Sequence, residues 1–403
     1  MLPRLDFEAT FGAFAKASVG TAGDEEQAVQ LMKEAFERLE SNPGLFTGDP
    51  NSAYTYDDPI LANIVAFVRA GMDAPVGVAG PPGADLRNRS WSRWALVGVH
   101  AWLSRGDRAL VTLGGMTPTR SITLATPAAP VARLAIVGDA GYAGLAQQNV
   151  IEMIRRRHQD AAFDLIVHLG DTYFGGSEKQ VLENLLAPFR AALDVQMVTL
   201  CGNHDLYYGP DGYIAAIKIL RQPGCYVCVE TPNWRIACLD TALAAERVLR
   251  DDGMLDDGQL AWLDDLIERR DGKGLILMGH HVPVSSWGKP TESLLLQLAQ
   301  RVRSRVFAWY WGHEHSCAAY AHDPHGFYGA CVGNGAFRER CSPPHIRPEM
   351  VMWYAQGRCE CFGSNGPDFW PHGFLELELH PNQLVERYHI EGGVTHERFL
   401  ARE

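Results

Sequence analysis

Five short polar clusters hold residues suited to metal chemistry. They are Gly138-Asp139-Ala140-Gly141, Gly170-Asp171-Thr172-Tyr173, Gly202-Asn203-His204-Asp205, Gly279-His280-His281 and Gly312-His313-Glu314-His315. Aspartate, asparagine and histidine supply oxygen and nitrogen donors, which suit Mn, Zn, Fe or Mg and do not call for soft sulfur. Taken singly, each cluster is weak. A lone Gly-Asp is an ordinary turn, and His313 with His315 reads equally well as a surface pair. All five in order, each closing an apolar segment, are hard to obtain by chance.

The segments that carry these clusters have a common texture. Residues 134–137, 163–169, 195–200, 234–239, 275–278 and 306–311 are apolar and read as strands. Amphipathic stretches near 146–158, 178–192 and 258–269 read as helices, so strands alternate with helices in the α/β manner. Residues 373–380 and 384–390 read as further strands. In open α/β sheets, ligands collect beyond the carboxyl ends of the strands. The clusters are therefore expected to converge, and the glycine opening each one lets the chain turn sharply there.

Residues 1–130 look different. Apolar residues recur at helical steps over 24–40, and 60–70 reads as a second helix. Gly- and Pro-rich stretches cover 42–59 and 73–90. Residues 94–103, 109–113 and 121–125 are strand candidates. The stretch Thr126-Pro127-Ala128-Ala129-Pro130 is a natural junction, because each proline restrains itself and its predecessor. Two domains are expected: 1–130, of mixed helix and strand with no assigned role, and 131–403.

Composition bounds the rest. The chain has 403 residues, 46% hydrophobic and 21% charged, which is ordinary for a globular protein. The net charge of −12 argues against a partner as large as a long nucleic acid, which usually needs a basic surface. No apolar run approaches the ~18 residues of a membrane span, and no secretory leader is read at the start. Nine cysteines, an odd number, argue against a disulfide framework and for a reducing, cytoplasmic setting. Cys225 and Cys228 with Cys359 and Cys361 could hold zinc, but the spacing is irregular and buried thiols are the plainer reading.

The five clusters resemble the ordered blocks of the calcineurin-like metallophosphoesterase superfamily, with a purple acid phosphatase-like motif order, over about residues 131–400. The resemblance implies a four-layer α/β/β/α sandwich with two divalent or trivalent metal ions (Mn, Fe, Zn or Mg) at the strand ends. By that likeness Asp171 bridges both ions, Asp139 and His315 hold the first, and Asn203, His280 and His313 hold the second. His204 is the general acid, with Asp205 stabilising its charged form. A hydroxide held between the ions would attack a small phosphate-ester substrate. A phosphodiesterase or nuclease acting on nucleotides, and a metal-binding regulatory scaffold without turnover, are the alternatives.

Two departures from the family pattern stand out. Gly141 occupies the place where many members have histidine. Purple acid phosphatases supply a tyrosine three residues after the second aspartate. Here that place is Phe174, and Tyr173 comes one residue early. Tyr173, Gln148 or water is left to complete the first shell, and the motif supports neither a purple tyrosinate–iron centre nor an Asp-x-His site. His280 fits the pattern better than His281, which could face substrate or simply pack. Glu314 is expected to point away from the ions, Trp309 and Trp311 to be core, and residues 336–372 to shape the substrate site.

Overall fold

The computed structural model describes residues 121–124, 131–173, 175–206, 210–245, 253–269, 271–287, 292–322, 326–337, 343–345, 347–356, 370–393 and 395–402. The expected N-terminal domain lies outside the described residues except for 121–124, as do the elements expected at 24–40, 60–70, 94–103 and 109–113.

The described chain forms two sheets. The first takes β1 (Ser121–Thr123), β5 (Val227–Glu230), β6 (Trp234–Cys238), β7 (Gly274–Gly279), β8 (Ala308–Trp311), β9 (Cys317–His322), β10 (Tyr328–Val332) and β11 (Val351–Tyr354), in the order β1-β5-β6-β7-β8-β10-β9-β11. The second takes β2 (Ala132–Val137), β3 (Leu165–His168), β4 (Met197–Thr199), β12 (Gly373–His380), β13 (Gln383–Ile390) and β14 (Thr395–Ala401), in the order β14-β13-β12-β2-β3-β4. β2, β3 and β4 run parallel, as do β6, β7 and β8. Their carboxyl ends therefore lie on common edges. The strand Ser121–Thr123 pairs in parallel with β5, so it joins this sheet although it precedes the proline-rich junction.

Alternation along the strands explains the layering. Leu134 and Ile136 of β2 pack in one buried cluster with Ile236, Ile276, Met278 and Tyr310, which is the core between the sheets. Their neighbours Ala135 and Val137 face the other way, against Val150, Ile151 and Ile154 of α1 (Leu145–Asp160) and against Val181 and Phe189. On the far side, Ala237, Leu275, Leu277, Trp309 and Trp311 pack against Leu263 and Leu266 of α2 (Asp257–Glu268) and Leu294 and Leu298 of α3 (Glu292–Val302). Each sheet is thus apolar on both faces, one covered by its partner sheet and one by helices. This is the four-layer α/β/β/α sandwich. Burying each such side chain is worth about 1.5–3 kcal/mol before chain entropy is charged against it. Trp309 and Trp311 are core residues, both fully buried.

Several elements were not legible in the sequence: the helix Asp211–Ile219 and the strands β9, β10, β11 and β14. The strands are short or mixed in polarity, and pairing with a neighbour rather than periodicity makes them strands.

Candidate metal centre

The five clusters meet beyond the carboxyl ends of β2, β3, β4, β7 and β8, stitched together by backbone. Asp139 N donates to Gly170 O (3.0 Å), Gly138 N to Val332 O (2.8 Å) and Gly312 N to His280 O (3.1 Å). Asp139, Asp171 and His313 all adopt left-handed backbone, with φ of 57°, 73° and 65°. For a residue with a Cβ this conformation costs of order 1–3 kcal/mol, and such strain is found where surrounding structure over-determines a site. Gly170 lies at φ 102°, and a Cβ there would stand 2.8 Å from His280 Nδ1. Glycine is required for that turn.

Two donor groups result, and they share one residue. Asp171, His280 and His313 form one, and Asp139, Asp171 and His315 the other, with the donor atoms of each within 4.8 Å of one another. His280 Nε2 lies 3.1 Å from Asn203 Oδ1, 3.1 Å from His313 Nδ1 and 3.3 Å from Asp171 Oδ1. His280 Nδ1 donates to Leu169 O at 2.9 Å, which leaves Nε2 as the nitrogen lone pair facing the group. In the other group, Asp139 Oδ1 lies 3.3 Å from His315 Nε2. Asp139 Oδ2 accepts from His313 N at 2.8 Å.

The donor set fits cations. Asp139 and Asp171 are 0% and 1% exposed, yet both are carboxylates held side by side. Burial raises Asp171 well above the ordinary carboxylate range, and the charges of Asp139 and Asp205 push the same way. Burial also opposes the charge of Asp139, but the hydrogen bond and charge of His315 outweigh it and hold that carboxyl low. A cation between the two acids would relieve the repulsion that now falls on Asp171.

Tyr173 is placed at the centre of the first group. Its hydroxyl donates to Asp139 Oδ1 at 2.8 Å and lies 3.1 Å from Asp171 Oδ2 and 2.9 Å from His315 Nε2. Of the groups left open to complete the first shell, the fold brings Tyr173 there, one residue earlier in the motif than in purple acid phosphatases. Gln148 is exposed on α1. Burial, then the Asp139 and Asp171 charges, push the Tyr173 phenol well up, which keeps it a donor.

His204 borders both oxygens of Asp171. Its backbone N–H donates to Oδ1 at 3.0 Å, and its Nε2 stands 4.0 Å from Oδ2. Asp205 was expected to partner the His204 charge. In the structure its carboxylate accepts backbone N–H groups from Gly202 (2.8 Å), Asp171 (2.9 Å) and Thr172 (3.0 Å), so it ties the second and third clusters together. Burial raises its carboxyl to about 6 despite those bonds.

His281 packs behind the group, 5.1 Å from His280 and 5.0 Å from His313 between ring centres, with Nδ1 2.8 Å from Thr241 Oγ1. Glu314 points away toward Ser285, whose hydroxyl it accepts, and toward Tyr320. Tyr213 packs, donating to Cys225 O, while Tyr207 and Tyr208 lie outside the described residues.

Neither Tyr142 nor Phe337 was named from the sequence, although Phe337 falls in the 336–372 segment expected to shape the substrate site. Phe337 stacks on Tyr173 at 4.3 Å and 24°, and lies 4.6 Å from His315. Tyr142 meets Phe337 edge-on at 5.6 Å. The signal was a sixth cluster, Gly333-Asn334-Gly335-Ala336, which closes β10 and ends at Phe337. The segment 336–372 also returns to the site loops: His345 N donates to Ser286 O, and Trp370 meets Trp287 at 5.6 Å.

Fold and site together define a phosphoesterase-type domain built for metal ions, and comparison with known proteins agrees. The family model for calcineurin-like phosphoesterases matches residues 132–317, so the chain carries a calcineurin-like phosphoesterase domain there. No curated protein matches the chain. Among solved structures it is similar to GAP50, the anchor in the inner membrane complex of Plasmodium, at 14% identity over 68% of this chain and 90% of that one, with a TM-score of 0.50. This likeness shows the fold. Purple acid phosphatase PPD1 from yellow lupin (Lupinus luteus) seeds is 17% identical, with 68% of this chain and 54% of that one covered and a TM-score of 0.47. The chain thus spans only about half the length of the lupin protein. A dimetal phosphatase from Danio rerio is 14% identical over 68% of this chain and 100% of that one, with a TM-score of 0.48. Among the described residues, no helix is long and apolar enough to cross a membrane.

Proposed function

We propose that this protein hydrolyses small phosphate esters at a pair of metal ions. One observation carries the reading: the two donor groups share Asp171, and its two oxygens face different groups. Oδ1 faces His280 at 3.3 Å, and Oδ2 faces Tyr173 at 3.1 Å. A carboxylate so placed is a natural bridge. Asp139 and His315 would hold the first ion with Tyr173 beside them, and Asn203, His280 and His313 would hold the second. When bound, the ions would polarise the phosphoryl oxygens and ready water for attack.

The chain's own groups do the rest. The backbone bonds from Gly138, Asp139 and Gly312 hold the donors still, so little reorganisation accompanies the reaction. Buried Asp205 fixes the turn that carries His204. His204, at the border of the centre, gives a proton to the departing oxygen.

The test uses purified protein stripped by chelation and reloaded with Mn, Zn, Fe or Mg. Turnover of p-nitrophenyl phosphate, bis-p-nitrophenyl phosphate or both is expected, lost on chelation and in Asp171→Asn. The preferred ester separates a monoesterase from a diesterase. Metal binding without turnover of either ester under any of these ions would overturn the hydrolase reading and favour a metal-binding scaffold.

A further inference from the structure

A cavity of about 560 Å³ lies at the far end of the first sheet from the metal centre. Its walls come from four separate segments. Lys273 stands just before β7, Arg305 just before β8, His322 at the end of β9 and Arg402 just after β14. Gly274, the first residue of β7, also lines it, whereas His280 of the centre follows the last residue of the same strand. At about 3.3 Å per residue, one strand therefore separates the two places by roughly 20 Å.

The lining is cationic in a chain whose net charge is −12. Lys273, Arg305 and Arg402 all line the cavity, and among the described lining residues none is acidic. Lys273 meets one carboxylate, Glu230, at 2.9 Å. That carboxylate is already outnumbered, because Arg235 and Arg269 each lie 3.7 Å from it, and only Arg235 has a second acid, Asp271. Among the described residues, neither Arg305 nor Arg402 has a carboxylate partner. Arg402 is nonetheless fixed. Its guanidinium lies 4.8 Å from the centre of the Trp234 ring, with Nη1 donating to Asn233 O at 3.1 Å and Nη2 to Pro381 O at 3.5 Å. Glycine at 274 makes room for it, since a Cβ there would stand 2.8 Å from Arg402 Nη1. Those two bonds leave donors of the guanidinium fork unspent.

From this arrangement we infer that the cavity is a second binding site, for a small polyanion bearing phosphoryl groups. It stands whether or not the metal centre hydrolyses esters. Three cations around one space favour a ligand with several negative oxygens, and guanidinium groups match phosphoryl oxygens in geometry as well as charge. Phe307 and Tyr328 also line the cavity. Their rings put low-dielectric walls beside the charges, which focuses the field on the space between them. The volume is more than a lone phosphate fills and falls in the ~300–1,000 Å³ range of small-molecule sites. Because Arg402 is held in place before the ligand arrives, little freedom is lost on binding.

Inorganic pyrophosphate is the probe, and calorimetry on the full-length protein reads its binding. Removing the metal silences the other site, because the bare centre presents the carboxylates of Asp139 and Asp171 and repels anions. The metal-stripped wild type is expected to bind one pyrophosphate per chain. Asp171→Asn, tested without stripping, should bind it as tightly. Arg305 is exposed and has no side-chain partner to lose, so Arg305→Glu should weaken binding at least tenfold without disturbing the fold. Arg305→Lys, which keeps the charge, should stay within about threefold of the wild type. Arg402→Gln should weaken binding by threefold or more. No binding up to millimolar pyrophosphate overturns the inference, as does an affinity untouched by Arg305→Glu. Loss of binding in Asp171→Asn would place the anion at the metal centre instead. Several weak equivalents per chain would mark a diffuse basic surface, and the cavity would then not be a site.

Discussion

The Tyr173 hydroxyl donates to Asp139 Oδ1 at 2.8 Å, although its place in the motif is one residue short of the familiar one. The Tyr173 hydroxyl also lies 2.9 Å from His315 Nε2. A phenol in this position stands among the donor atoms of Asp139, Asp171 and His315. Tyr173→Phe keeps the stack on Phe337 and removes only the hydroxyl. First-site metal affinity should fall by about tenfold to a hundredfold while the second site holds its ion. Equilibrium dialysis with elemental analysis reads this directly. Unchanged affinity at both sites would place the hydroxyl outside the shell.

His204→Ala separates chemistry from metal binding. The side chain borders Asp171 at 4.0 Å but is absent from both donor groups. Turnover of an ester with a poor leaving group should drop by roughly 10²–10⁴, with two ions still bound. Loss of metal together with activity would assign His204 to the centre itself.

Gly202→Ala tests how tightly the bridge is packed. An added Cβ would overlap Asp171 Oδ1 and stand 2.7 Å from Asp171 N, which is backbone. The carboxylate has to move. A loss of about 1–3 kcal/mol in stability is expected, with depleted metal at both sites. Chemical unfolding and metal stoichiometry measure the two effects. Wild-type values for both would mean the turn is looser than it looks.

His168, outside both donor groups, sets a further pH dependence. Its ring is fully buried between sheet neighbours, with Nδ1 2.9 Å from Thr199 Oγ1. Burial lowers it to about 3 from 6.5, and the His280 charge adds to this against Asp139. Between those values the unfolded chain binds the proton that the folded chain refuses. Stability therefore falls as pH drops from about 6.5 toward 3. In His168→Leu the slope over that window should be shallower by up to about 1.4 kcal/mol per pH unit. Urea midpoints taken across pH 4–6 for both proteins give the difference, and parallel slopes would refute the assignment.

The alternation of strands and helices and the convergence of the five clusters were legible because each depends on local pattern, whereas the four-layer sandwich was implied only by the family resemblance. Apolar runs make parallel strands, glycine permits the turn, and the carboxyl edge of a sheet gathers the loops that leave its strands. Sequence thus determined the donor types and their approximate meeting place. Only tertiary structure decided how those side chains point. It put Tyr173 at the first group, turned the Asp205 carboxylate onto three backbone amides, and laid Phe337 over His315. It also showed β1 pairing with a strand about a hundred residues away. These outcomes depend on contacts between segments distant in the chain, set by how two sheets pack and how each turn is strained, and no spacing along one strand encodes them.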